Sequence, residues 1–247
     1  MAEQRRTALV TGSGRNIGRA VALALAADGF NVVVNGSKDR AACEAVATEI
    51  RVFGVEPLVA IGDVGIASVA KGIAEAAIRR FGAVDVLVNN AAIRPSNGFL
   101  DMKEDEWNRV LAVDLQAAFW LSRACLSGML EKSWGRIVNF AGMNAIHGYS
   151  GRAHVSVAKH GAWGLTKSLA KEFGPQGITT NIVSPGPIRG ERTDPLMEAH
   201  IEGMKSRVPV GRLGEAEEVA AIIVLLVSEA GAFINGQLLQ VNGGAET

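Results

Sequence analysis

Tyrosine occurs once in 247 residues, as Tyr149, which confines any mechanism needing a phenol to that position. The clearest chemical pattern lies elsewhere, in Thr11-Gly12-Ser13-Gly14-Arg15-Asn16-Ile17-Gly18, followed by Ala20, Val21, Leu23 and Leu25 at helical spacing. Glycines let a backbone approach a pyrophosphate, and the helix start behind them offers free N–H groups and the positive end of a dipole. At the end of the next strand an acidic residue would hydrogen-bond the adenosine ribose of NAD(H), but the sequence reads Val34-Asn35-Gly36-Ser37-Lys38. Gly36, Ser37 and Lys38, with Arg15, offer a cation pair and a hydroxyl suited to a 2′-phosphate, so NADP(H) is favoured over NAD(H). Asp63-Val64 and Asn89-Asn90-Ala91-Ala92 bring small and hydrogen-bonding groups to where adenine and its ribose should lie. The histidines show no HExxH pair and no ligating cysteine at short spacing, so no metal site is expected.

These segments need a scaffold that gathers strand ends. Short β-branched runs alternate with stretches in which Ala, Leu and Ile recur at helical spacing, the βαβ pattern of a parallel sheet. The runs predict strands at Arg6–Thr11, Asn31–Asn35, Glu56–Ile61, Val84–Asn89, Arg136–Phe140, Thr179–Ser184 and Gln237–Val241. Helices are predicted at about 16–28, 39–53, 66–81, 103–131, 150–174 and 215–228. Runs such as Val32-Val33-Val34 are apolar on both faces, as in strands covered by helices above and below. The expected fold is α/β: a doubly wound, seven-stranded parallel sheet, Rossmann-like, in a single domain spanning 1–247. Its ligand crevice would open at the carboxyl ends of the strands, where strand order reverses.

With 25 basic and 25 acidic side chains the chain lacks the charge excess that nucleic acid or an anionic membrane normally selects, so neither is an expected partner. The longest apolar run, Val219–Val227, falls far below the roughly 20 residues of a membrane span. The first ten residues lack the apolar core of a secretory signal. Two distant cysteines, Cys43 and Cys125, form no disulfide framework, and a cytoplasmic location is expected.

The whole chain resembles the short-chain dehydrogenase/reductase family, nearest to its beta-ketoacyl-carrier-protein reductase-like and sugar or alcohol dehydrogenase-like members. The matching segments are Thr11–Gly18, Asp63-Val64, Asn89-Asn90-Ala91, Ile137-Val138-Asn139, Lys159, Asn181 with Ser184-Pro185-Gly186, and Asn235-Gly236-Gln237 to Val241-Asn242-Gly243-Gly244. The resemblance implies hydride transfer between a nicotinamide and a small-molecule carbonyl or alcohol. It also implies nicotinamide contacts from Pro185, Gly186 and the Ile188 backbone, a substrate lid at about 189–205, and a homotetramer built through helices 103–131 and 150–174.

The departures from the family pattern concern the acid. The family's tyrosine four residues before the lysine falls at Val155, its serine at Gly142 and its asparagine at Asp114, leaving Lys159 of the usual four. Losing a general acid forfeits about 10²–10⁴-fold in rate. Lys159 can still hold the nicotinamide ribose. Tyr149 and His147, with Asn144 nearby, lie where a proton could be delivered, while Tyr149 can equally be an aromatic wall and His147 a surface group. Asp114 would act as an acid if desolvated and protonated, or pair with Lys159 as a salt bridge. His154, next to Val155, points about 100° away around the helix.

Two functions follow: an NADP(H)-dependent oxidoreductase with a non-standard proton donor, ene reduction included, or a redox-silent NADP(H)-binding sensor, partner protein or non-redox enzyme on the same fold. Arg94, Arg152, Arg189 and Arg192 in the expected pocket segments hint at an anionic ligand.

Overall fold

A computed structural model of the chain describes residues 5–143, 147–190 and 203–246. The elements that matter here are β1 (Thr7–Val10), α1 (Asn16–Ala27), β2 (Asn31–Gly36), α2 (Arg40–Arg51), β3 (Pro57–Ile61), α3 (Ala67–Phe81), β4 (Val86–Asn89) and α4 (Glu104–Leu111). They continue with α5 (Ala117–Glu131), β5 (Gly135–Phe140), α6 (Ala153–Phe173), β6 (Ile178–Pro185), α7 (Ala216–Val227) and β7 (Leu238–Val241). The seven strands form one sheet in the order β3-β2-β1-β4-β5-β6-β7, and every neighbouring pair is parallel. This is the doubly wound sheet that the alternating pattern predicts, with order reversing between β1 and β4.

The strand residues divide between the two faces with a period of two. Ala8, Val10, Val32, Val34, Val86 and Val88 pack with Val21 and Leu25 of α1 and with Val219, Ile223 and Leu226 of α7. Leu9, Val33 and Leu87 turn the other way, onto Ile73 and Ala77 of α3 and Leu121, Cys125 and Met129 of α5. Burying both faces this way stabilises the sheet by about 25 cal/mol per Å² of apolar surface removed from water and explains why these strands carry no polar alternation.

The predicted helix at 103–131 is interrupted. Between α4 and α5 the residues Ala112–Gln116 form a π-helical turn carrying Asp114, a local widening that often marks a functional position. End to end the segment is a 28-residue helix of mean hydropathy 1.2 over its most apolar window, long and apolar enough by those measures to cross a membrane. In this fold Leu121, Cys125 and Met129 spend that apolarity on the sheet.

Candidate active site

At the switch point the ends of β1 and β4 are tied together. The Thr11 hydroxyl oxygen accepts from the Asn90 N–H at 2.9 Å and the Ala91 N–H at 3.0 Å, and the Asn90 amide donates to the carbonyls of Thr11 at 2.8 Å and Gly12 at 3.1 Å. Asn90 is therefore committed to holding the glycine-rich turn. On the other side Asn35 accepts from Gly12 N–H at 3.3 Å and donates to the carbonyls of Ala60 at 2.9 Å and Gly62 at 3.1 Å. Ser13 is buried, its hydroxyl donating to the Val10 carbonyl at 2.8 Å. The supporting role of Asn35 was hidden in the sequence, where position 35 registered only as not acidic.

The turn itself has the shape of a phosphate cradle. Gly12 adopts φ +62 and Asn16 φ +50, the left-handed region that Asn tolerates better than most side chains. A Cβ at Gly18 would press into the Gly12 carbonyl oxygen, and a Cβ at Gly14 would lie 3.2 Å from the Cys43 sulfur. Ile17 packs onto the core beneath. The open side of the turn faces Arg15, Gly36, Ser37 and Lys38, of which Arg15, Ser37 and Lys38 are exposed, and neither cation has an ion-pair partner among the described residues. Glycine backbone, a helix start and two free cations fit a dinucleotide phosphate group.

Asp63 is held from two sides within the protein. Its carboxylate accepts from the Gly65 N–H at 2.9 Å and from Arg109 of α4 at 2.5 Å, while Val64 beside it is buried. Arg109 has no local sequence signal, because its partner is 46 positions away. Pro185 ends β6; Gly186 donates its N–H to the Val241 carbonyl at 2.9 Å and lies so close to β7 that a Cβ there would be 2.6 Å from the Asn242 Cα. Ile188 is buried and bridged to Gly214.

The centre of the crevice holds Asp114 and Lys159. The Lys159 ammonium lies 3.2 Å from one Asp114 carboxylate oxygen, with side chains 4% and 0% exposed; the other oxygen accepts from the Ile93 N–H at 2.8 Å. Burial lowers the Lys159 pKa from its ordinary value, Asp114 opposes that shift, and the nearby Arg94 charge adds to it. Four residues before Lys159 on α6, Val155 is 2% exposed and packs with Val110, Ala158, Ile93, Leu111 and Leu115. Gly142 adopts φ +140 and a Cβ there would meet nothing within 4 Å. The crevice floor thus combines one buried ion pair with an apolar wall.

The loop candidates lie apart from that pair in character. Tyr149 is 46% exposed, its ring 5.0 Å below the Arg152 guanidinium. His147 meets the Glu246 carboxylate at 2.9 Å, an attachment to the C-terminal segment that no local pattern announces. His154 is buried and donates from Nε2 to Glu106 of α4 at 3.0 Å, because its Nδ1 accepts from the Val155 N–H at 3.0 Å. Asn144, Arg192 and most of the expected lid at 189–205 lie outside the described residues.

A family profile described as enoyl-(acyl carrier protein) reductase matches residues 12–246. The chain is 39% identical over 241 residues to the 3-oxoacyl-[acyl-carrier-protein] reductase FabG of Staphylococcus aureus, covering 97% of each chain. It is 38% identical over 239 residues to the FabG of Escherichia coli K12, covering 97% of this chain and 96% of that one. Among solved structures, acetoin dehydrogenase YohF from Salmonella typhimurium superposes with TM-score 0.90 at 31% identity, over 97% of this chain and 95% of that one. A putative short-chain alcohol dehydrogenase from Sinorhizobium meliloti gives TM-score 0.92 at 28% identity, over 97% and 96%. The chain belongs to the short-chain dehydrogenase/reductase family of oxidoreductases.

Proposed function

We propose that the protein is an NADP(H)-dependent oxidoreductase acting on a carbonyl/alcohol pair or, better suited to this site, a conjugated carbonyl, with a proton donor other than a tyrosine on α6. The observation that carries this reading is the buried Asp114–Lys159 pair at 3.2 Å beside a crevice wall whose Val155 and Gly142 carry no ionisable group. The glycine turn, Arg15, Ser37 and Lys38 would hold the nucleotide, with Lys159 reaching its ribose, and Pro185, Gly186 and Ile188 would flank the nicotinamide. A bound nicotinamide supplies or accepts the hydride.

The chain's own residues then have two tasks. Asp114 keeps Lys159 charged against the cost of burial, and the Lys159 ammonium offsets negative charge on the substrate oxygen. When the carbonyl is conjugated, hydride adds at the distal carbon, the C=C electrons move toward oxygen, and the enolate so formed takes its proton at carbon from water. That sequence asks for a cation at oxygen and tolerates a missing phenol. Reduction of an isolated carbonyl needs a proton at the developing alkoxide, where a lost acid costs about 10²–10⁴-fold. The family description as an enoyl reductase supports this preference. The names of the Staphylococcus and Escherichia relatives support carbonyl substrates more broadly.

Exposed Phe119, Leu130 and Val157 on α5 and α6 support assembly as a homotetramer through those helices, and a cytoplasmic setting agrees with two buried free cysteines. The test is NADPH oxidation over matched enone and saturated ketone pairs: turnover confined to the enones is expected. Tight NADPH binding with no turnover of either would replace this reading by a redox-silent binding role.

A further inference from the structure

We propose that the substrate carries an anionic group, a carboxylate or a phosphate, and that Arg94 and Arg152 bind it at the mouth of the crevice above the Asp114–Lys159 pair. This rests on the oxidoreductase reading of the same crevice and adds the chemical class of what enters it. The two arginines come from different strand-end loops that the fold locks together. Ile93 donates its N–H to Asp114 at 2.8 Å, which sets Arg94, the next residue, beside the buried pair. Arg152 immediately precedes α6 and lies with its guanidinium carbon 5.0 Å from the Tyr149 ring. Asn97 closes one loop on the other, donating its N–H to the Gly151 carbonyl at 2.8 Å.

What these arginines lack is a partner. Glu106, an acid that reaches the loop junction, is already held by Asn97 at 2.6 Å and His154 at 3.0 Å. Elsewhere around the crevice Arg109 is paired with Asp63, Arg189 with Glu215 and Arg212 with Glu218. Among the described residues, Arg94 and Arg152 have no carboxylate at ion-pair distance, and the Arg152 Nε is buried without a hydrogen-bond acceptor. A guanidinium nitrogen shut off from water is costly until an acceptor reaches it. Among the described residues, Arg94 and Lys159 share the attraction of one carboxylate, Asp114. Arg152 opposes the Arg94 charge and Arg94 opposes that of Lys159, so an incoming anion relieves repulsion at all three. The planar fork of arginine matches carboxylate and phosphate oxygens two at a time.

The experiment uses three probes, benzalacetone, its para-carboxylate and its para-phosphonate, titrated calorimetrically into the whole protein with and without saturating NADP+, and assayed in parallel for NADPH oxidation. The charged probes are expected to bind about 10- to 100-fold more tightly than the neutral parent, the span of a charge-assisted contact. Arg94→Gln and Arg152→Gln should each reduce that ratio by about tenfold, and Arg152→Lys should keep part of it; circular dichroism confirms folding, and Arg94→Gln decides alone if Arg152→Gln does not fold. The rank of carboxylate against phosphonate tells a carboxylic acid from a phosphate ester as the natural class. Equal binding of charged and neutral probes, a ratio that survives both Gln variants, or binding of none of the three overturns the proposal. NADPH oxidation of the neutral probe without charge preference sinks the anion site alone. A charge preference in binding without any NADPH oxidation keeps the anion site and sinks the oxidoreductase reading.

Discussion

Replacing Asp114 by Asn removes the charge of the buried pair. The amide keeps the side-chain volume and keeps an oxygen for the Ile93 N–H, bonded at 2.8 Å in the native chain, but puts an NH2 group, which donates and cannot accept, where the charged oxygen 3.2 Å from Lys159 stood. Breaking a buried pair from one side costs about 3–5 kcal/mol, because the remaining charge is uncompensated. Lys159 has an escape, which is to shed its proton. From its ordinary value of 10.5, that costs about 5 kcal/mol at pH 7 and about 2 kcal/mol at pH 9, at roughly 1.36 kcal/mol per unit. The destabilisation of Asp114→Asn is therefore capped near those values and shrinks as pH rises. In the native chain burial already lowers the Lys159 pKa. Between that lowered value and 10.5 the unfolded chain binds more protons than the folded one, and stability rises with pH through that window. Asp114→Asn extends the window downward, since it removes the charge that opposes the shift. Urea unfolding followed by fluorescence of the four tryptophans reads both effects, at one protein concentration because the proposed tetramer would make the midpoint concentration-dependent. Equal losses at pH 7 and pH 9, or a loss below about 1 kcal/mol at pH 7, would refute the reasoning from an uncompensated charge.

In turnover assays Asp114→Asn and Lys159→Met should each lower kcat by about 10²-fold or more, whereas Tyr149→Phe and His147→Ala should stay within about tenfold; the reverse order would move the proton donor to the loop. Lys38→Ala should weaken NADPH binding by about 10- to 100-fold with little change for NADH, as expected for one charge-assisted phosphate contact, and equal losses for both nucleotides would remove the case for a 2′-phosphate site. Gly18→Ala should weaken nucleotide binding while circular dichroism stays native, because the new methyl group presses on the Gly12 carbonyl and opens the turn; undiminished affinity would mean that this turn does not hold the phosphates. Mass photometry should find a species of four times the 25.9 kDa chain mass, and Val157→Glu, at an exposed apolar position of α6, should shift it to smaller species.

The sheet and the glycine-rich turn after β1 were legible in the sequence because both depend on local pattern. A strand buried on both faces must be apolar at every position, as Val32–Val34 is, and a turn with a positive φ and no room for a Cβ must carry glycine, as it does at Gly12 and Gly18. The possibility that Asp114 pairs with Lys159 was also readable, although only the fold could bring residues 45 positions apart to 3.2 Å. The π-helical turn that carries Asp114 left no periodic signal, and it packs together with α4 against α6, a neighbour far along the chain. Likewise the commitment of Asn90 and Asn35 to the glycine turn, of Asp63 to Arg109, and of His147 to Glu246 depends on which side chain arrives opposite each one. Among the pocket-segment arginines, tertiary contact separated Arg189, paired with Glu215, from Arg94 and Arg152, which have no carboxylate at ion-pair distance among the described residues. Residue type and spacing determine what backbone a chain can form and which groups it brings to a crevice; which of those groups are spent on each other is fixed by long-range neighbours, which no local stretch of sequence contains.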